Sequence, residues 1–400
     1  MPTSAIPKPI VGHPQVFVSV GLGFGYARDI VAGIVAYARE HGPWEFVGQV
    51  GPGTQRDAIK PPAAYDGVIF QRLPPRTLGT IRRRGLPAVS VGGGAIDADI
   101  HHVTSDGQAI ADMAYRYFLN LGFKRFAAYG GSPRGRATMV ETLRDLAEAD
   151  GSSFTDLGPA VRRPEPGHPR VLSWAQELNR LKTRLPKLEQ RTALLTCSTE
   201  DARPVVAACD ELGINVPDEI AVLGVDDDEA ICELASPPIS SIDHGCEQMG
   251  WEAAQQLDLL MHGQHPARRL TQIAPLRVVS RQSTNTLAID DPLVVRTLSI
   301  LQTRFEECLT VKTLIDELAV SRPTLEAHFR KTLGHTVHRH LTTIRIQHAK
   351  ELLQSTTLNM ADISARCGFS YPSKLSSIFL REVGLSPREY RLRYQIRRKI

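Results

Sequence analysis

The chain has 400 residues, 42% of them hydrophobic and 22% charged, with a formal net charge of +4. That length suits two or three domains with sizeable cores. No apolar run approaches the roughly 18 residues a membrane helix needs, nothing reads as a secretory leader, and the six cysteines (Cys197, Cys209, Cys232, Cys246, Cys308, Cys367) form no CxxC pair. Such spacing argues against a disulfide framework or a zinc site, and for reduced thiols in a cytoplasm.

The first element is VFVSVGLGFGYARDI (16–30), a strand, a glycine-studded turn and the start of a helix. A dinucleotide fingerprint needs its third glycine three residues after the second. Here Gly21, Gly23 and Gly25 are evenly spaced and Tyr26 stands where that glycine belongs. No acidic residue closes the next strand, EFVGQVG (45–51), and GxxxxGK[ST] is absent. The nucleotide reading is therefore weak. A plain tight turn and a turn at the mouth of a ligand cleft remain open.

From residue 14 to about 280, β-branched runs alternate with helical patterns. Strands are expected at 16–20, 67–70, 88–93, 125–130, 193–198 and 220–225, with helices between them, such as 29–42 and 107–122. This alternation predicts parallel sheets covered by helices on both faces. Two such sheets, breaking near Gly131, make a two-lobed body. The polar, aperiodic RQSTNTLAIDDP (281–292) reads as a linker, after which the pattern is helical to Tyr390.

Charge follows the same division. Residues 290–400 hold 18 Lys and Arg against 11 Asp and Glu, a balance of +7 that leaves −3 for the rest. A basic tail on a mildly acidic body suits a polyanionic partner.

The tail repeats itself. LIDELAVS (314–321) aligns with ISARCGFS (363–370) at an offset of 49; after one inserted residue the offset is 50, pairing Leu325 with Leu375, Phe329 with Phe379 and Gly334 with Gly384. Each copy reads as a short helix, a tight turn, a serine N-cap and a second helix: a helix-turn-helix read twice. A connecting helix over 343–356 is expected to bury Ile346, Ala349, Leu352 and Leu353. The positions expected to face DNA are Arg322, Pro323, Thr324, Glu326 and Ala327 in the first copy. In the second they are Tyr371, Pro372, Ser373, Lys374, Ser376 and Ser377. Glu326 suits a cytosine amino group and Lys374 a guanine, while Arg330, Lys331, Arg381 and Arg388 suit phosphates. His335, His338 and His340 lack a carboxylate or cysteine neighbour in sequence, so DNA backbone contact or plain surface is expected there and a metal site is not.

In the body, ligands of open α/β sheets bind at the carboxyl ends of strands. The candidates there are Phe24, Tyr26 and Arg28 on the opening turn, then Arg136, Asp201 and Asp226 after later strands. Aromatic faces cover the C–H patches of a sugar, while carboxylates and a guanidinium bridge its hydroxyls. Blander roles suit several of these. Asp201 can cap its helix, Asp227 and Asp228 can begin a turn, and Arg136 can pair with a surface acid. Trp174 reads as core and Arg82 to Arg84 as a solvated helix face. GxSxG, HExxH and a cofactor loop are all absent, so no enzyme activity, catalytic residue or cofactor is expected.

The tail segment ISARCGFSYPSKLSSIFLREVGLSPREYR (363–391) resembles the AraC/XylS family of transcription regulators, with one departure in the first copy: Ala319 stands where a turn glycine is usual. The body segment 199–263, with VPDEIAVLGVDDD and PPISSI, resembles the sensor domain of LacI/GalR regulators and sugar-binding periplasmic proteins. That resemblance implies that Asp226 and Arg136 hold sugar hydroxyls. A LacI-like sensor before an AraC-type tail is the arrangement of the xylose-operon regulators. The resemblance thus implies an α/β two-lobed periplasmic-binding-protein-like domain over 14–281, a linker over 282–292 and an all-α double helix-turn-helix domain over 293–393. It implies a cytoplasmic, nucleoid-associated activator of sugar catabolism genes, with a double-stranded DNA operator, a sugar effector such as D-xylose or a related pentose, a homodimeric state and contact with RNA polymerase. A purine- or amino-acid-sensing regulator, or a repressor, on the same scaffold remains open.

Overall fold

A computed structural model describes residues 12–47, 65–92, 99–132, 136–160, 172–289, 291–307 and 309–394. The strands are β1 (Gln15–Ser19), β2 (Glu45–Val47), β3 (Gly67–Phe70), β4 (Ala88–Val91), β5 (His101–Ser105), β6 (Arg125–Tyr129), β7 (Ser153–Asp156), β8 (Thr192–Thr196) and β9 (Ile220–Val225), of which β5 and β7 are polar and fall outside the expected runs. β10 (Ser240–Asp243), β11 (Leu270–Ile273) and β12 (Arg277–Val279) follow. Between them run α1 (Gly25–His41), α2 (Pro75–Arg84), α3 (Gly107–Asn120), α4 (Ala137–Ala149), α5 (Trp174–Lys182), α6 (Thr199–Leu212), α7 (Glu229–Leu234) and α8 (Cys246–Met261). The tail holds α9 (Pro292–Arg304), α10 (Val311–Leu318), α11 (Arg322–Leu333), α12 (Val337–Ser355), α13 (Met360–Arg366), α14 (Pro372–Val383) and α15 (Pro387–Tyr394).

Among the described residues the strands form two six-stranded sheets, ordered β11-β5-β4-β3-β1-β2 and β12-β10-β9-β8-β6-β7. All neighbours pair parallel except β12, which runs antiparallel to β10. The break between sheets does not fall near Gly131. It lies between β5 and α3, where the Asp106 amide donates to the Ile273 carbonyl at 2.8 Å, and β6 already belongs to the second sheet. The chain returns through α8 and β11 to the first lobe, then leaves again between β11 and β12. Three crossings hinge the lobes.

The first lobe is held by α8 crossing α1. A Cβ on Gly33 would collide with the Glu247 carbonyl, and one on Gly250 with the Ile30 carbonyl, so the two helices meet backbone to backbone. Around that crossing Val16, Val18, Ile30, Ile34, Met249 and Leu257 form one core. The second lobe has its own core, with Tyr129, Leu181, Leu194, Val205 and Val222.

The chain divides into two units, Met1–Tyr115 with Arg125–Asn285, and Arg116–Lys124 with Thr286–Ile400. The stretch read as a linker is partly structured. Gln282–Thr284 is a 3-10 turn with Ser283 and Thr284 buried; Ser283 Oγ donates to the Val222 carbonyl at 2.6 Å, and the Ser240 amide donates to Ser283 Oγ at 2.8 Å. Ile289 is buried in the helical unit and Pro292 already opens α9. Asp290 lies outside the described residues, as do 48–51 and Gly93 of the expected strands.

The helical unit has two cores along one spine. α9, α10, α11 and the start of α12 bury Leu298, Leu314, Phe329 and Leu341. The rest of α12 with α13, α14 and α15 buries Ile346, Ala349, Leu353, Phe379 and Tyr390, with Leu352 only partly covered. Truncating a fully buried phenylalanine such as Phe329 or Phe379 costs about 3–5 kcal/mol.

Candidate ligand cleft and nucleic-acid interface

The candidate ligand residues stand where the two sheets present their carboxyl ends. Asp201 is not the cap of α6. Ser198 takes that role, accepting from the Asp201 amide at 3.1 Å, and the buried Asp201 carboxylate accepts from the Gly131 amide at 2.8 Å. Arg136 is also buried, with its fork held by Asp156 at 3.0 and 2.5 Å. The pairing read as an alternative for Arg136 thus exists, with an acid from the end of β7. Asp226 follows β9 in a left-handed conformation, φ 95°.

Sequence reasoning missed His244. It lies on the hinge before α8, with Nε2 at 3.2 Å from the Asp226 carboxylate and 2.7 Å from Cys246 Sγ. Its neighbour in sequence is an ordinary strand end, so only the fold brings it to Asp226. Burial pushes the Asp226 carboxyl well above the usual carboxylate range, and the carboxylates of Asp201, Glu200 and Asp228 add to this. Burial holds the His244 imidazole down at about 4, so it is neutral at pH 7. Cys246 and Asp226 face the same ring nitrogen, whereas a nucleophile relay needs them on opposite ones.

The first lobe contributes the opening turn. Phe24 and Tyr26 stack with ring centroids 5.6 Å apart, and Gln71 Nε2 donates to the Tyr26 hydroxyl at 3.1 Å. Arg28 is exposed and donates to the Leu22 carbonyl at 3.1 Å. Trp174 is not core: it is 47% exposed, beneath the Arg203 guanidinium at 5.0 Å.

In the helical unit both second helices present their first turns to solvent. Arg322, Pro323, Thr324 and Ala327 are exposed on α11, and Tyr371, Pro372, Ser373, Lys374 and Ser377 on α14. Ser376 is half-buried and donates to the Pro372 carbonyl at 3.0 Å. Glu326 is less available than expected, with only 15% of its side chain exposed and Arg330 4.0 Å away. The Ala319 turn keeps the geometry of its counterpart: Ala319 adopts φ 53° where Gly368 adopts φ 69°. The inserted residue moves the second cap. Ser321 caps α11 by accepting from the Thr324 amide at 3.2 Å, but Tyr371, not Ser370, is the N-cap of α14, with no side-chain bond.

The histidine trio is not a surface cluster. His340 is buried, its Nδ1 lies 3.1 Å from His335 Nε2, and the two rings stack 5.3 Å apart against Phe329; His338 alone is exposed. α12 separates the two motifs. Its 19 residues span about 28 Å, near the roughly 34 Å turn of duplex DNA.

A hinged two-lobed cleft and a doubled helix-turn-helix define a ligand-sensing regulator, not an enzyme. Comparison with known proteins agrees: residues 115–284 match the periplasmic binding protein-like domain, and residues 314–393 match the helix-turn-helix domain. The chain joins a periplasmic-binding-protein-like sensor to an AraC-type helix-turn-helix domain. It is 28% identical over 376 residues to the xylose operon regulatory protein of Haemophilus influenzae, covering 92% of this chain and 95% of that one. It is 27% identical over 371 residues to the protein of the same name from Escherichia coli (strain K12), covering 92% and 94%. A solved structure of the xylose-binding transcription activator xylR shares the fold, with a TM-score of 0.58 and 24% identity over 96% of this chain and 99% of that one.

Proposed function

We propose that the chain is a transcription activator whose two-lobed domain binds a small uncharged sugar, a pentose such as D-xylose, and whose tail reads operator DNA. The observation that carries the sugar reading is the convergence of Arg136, Asp201, Asp226 and His244 opposite the Phe24–Tyr26 stack. A hydroxyl both donates and accepts, so it suits the Asp226 carboxyl, with its raised pKa, beside a neutral imidazole. A phosphate or sugar acid would add negative charge to a group of carboxyls, Asp201, Asp226, Asp228 and Glu200, whose mutual repulsion already opposes ionisation of Asp226. The relatives named for a xylose operon, and the solved structure described as xylose-binding, support the pentose.

The tail supports duplex DNA as partner, through two exposed first turns on α11 and α14. We further propose that the chain acts in the cytoplasm as a homodimer that occupies paired half-sites and contacts RNA polymerase. Calorimetric titration with D-xylose, other pentoses, hexoses and a pentose phosphate tests the effector. Binding of a neutral pentose with no heat from the phosphate supports it, and binding of the phosphate alone refutes it. Sedimentation and footprinting on a full operator test the dimer.

A further inference from the structure

Asp228 occupies the N-cap position of α7, where aspartate commonly caps the helix that follows. Its side chain makes no such bond. α1, on the other lobe, has the complementary lack: its N-cap is Phe24, whose own side chain makes no capping bond, and its first turn holds no acid. The two meet across the cleft. Asp228 Oδ2 accepts from the Gly25 amide at 2.9 Å and lies 3.6 Å from an Arg28 guanidinium nitrogen. Gly25 is what admits it, since a Cβ there would collide with the carboxylate.

The loop before α7 is shaped for this reach. Asp226 and Asp227 are both left-handed, at φ 95° and 48°. Asp227 is pinned by Arg281 at 2.8 Å, and its amide donates to Ser241 Oγ at 3.1 Å. The positive end of α1, an anion site by its exposed amides and dipole, is thus filled by the protein itself.

We propose that Asp228 is a positioning residue that latches the two lobes, holding the Phe24–Tyr26 turn against the loop that carries Asp226. The latch is a bond from protein to protein, so lobe contact does not wait for an effector. The glycine turn that suggested a phosphate cradle serves a carboxylate from the same chain. This inference rests on the two lobes sharing one cleft and not on which ligand the cleft takes.

Hydrogen exchange by NMR on the full chain, without any added ligand, tests it. The first helical bond of α1 runs from the Arg28 amide to the Phe24 carbonyl at 3.2 Å, so the Gly25 amide has no acceptor within its own helix. Its protection reports on Asp228. In the wild type this amide should exchange at least tenfold slower than the free-peptide rate. Asp228→Gly should remove that protection while amides of β8 and the middle of α1 keep theirs. A free-peptide rate at Gly25 in the wild type overturns the latch, whether or not the variant folds. So does unchanged protection in Asp228→Gly.

Discussion

The Arg281 guanidinium lies 2.8 Å from the Asp227 carboxylate, so the segment leaving the second lobe grips the loop that carries Asp226. A second nitrogen of Arg281 reaches Glu233 at 2.7 Å, and its backbone carbonyl accepts from Ser240 Oγ at 3.1 Å. The first prediction follows. Arg281→Ala leaves a mostly buried Asp227 without its cation and should destabilise the two-lobed unit by about 3 kcal/mol. Arg281→Lys, which keeps the charge but loses the fork, should fall between. Thermal unfolding by calorimetry measures both, and an unchanged midpoint for Arg281→Ala refutes the pairing.

Asp226→Ala should weaken sugar binding by about 2–3 kcal/mol, roughly 30- to 150-fold, because buried hydroxyls lose their acceptor. DNA affinity in the absence of sugar should not change. Equal calorimetric affinity in mutant and wild type would make Asp226 a structural residue only.

Binding of the full chain to duplex DNA should weaken as salt rises, with log affinity falling by about 0.9 per phosphate contacted for each unit of log salt. Arg330→Ala should reduce that slope by about 1 across all sequences, whereas Lys374→Ala should also relax preference at one base pair. Fluorescence anisotropy on operator and scrambled duplexes separates the two. A slope that Arg330→Ala leaves untouched removes Arg330 from the backbone contacts.

Ala319 holds a left-handed conformation that costs a residue with a Cβ about 1–2 kcal/mol. Glycine relieves that strain but loses about 0.5–1 kcal/mol of chain entropy. Ala319→Gly should therefore stabilise the helical unit by about 0.5–1 kcal/mol, and Ala319→Val should destabilise it. Urea unfolding followed by circular dichroism shows which sign holds.

Burial lowers the His340 imidazole to about 3. Below its unfolded value of about 6.5 the unfolded chain binds a proton that the folded one refuses. The helical unit should therefore lose stability as pH falls from about 6.5 towards 3, by a few kcal/mol in all. His340→Gln should flatten that dependence in urea unfolding curves collected between pH 7 and 4. An equally steep curve in the variant would assign the acid sensitivity to other groups.

Much of this architecture is legible in the residues, for local reasons. GVIF and IAVLGV became β3 and β9 without a shift, because unbroken β-branched runs suit strands buried on both faces. The doubled tail was visible because its buried leucines and phenylalanines recur in register. Polar strands such as HHVTS (β5) and SSID (β10) carry no such signature, and their place in the sheets depends on partners far away in sequence. The start of α1 was misplaced by four residues because its cap is Asp228, 203 positions downstream. His244 met Asp226 only through the hinge.

The hinge has a bearing on how the sensor can be divided. Because α8 and β11 return to the first lobe after the second is complete, neither lobe is a continuous stretch of polypeptide. A chain cut after Ser105 would leave an amino-terminal fragment without the helix that crosses α1 and without its edge strand β11. Its apolar face, with Ile30, Ile34 and Val89, would stay uncovered until residues 246–273 arrived. Co-expressed halves split at that bond would therefore have to complement each other, each useless alone, and recombination between related genes would preserve the sensor only by exchanging it whole.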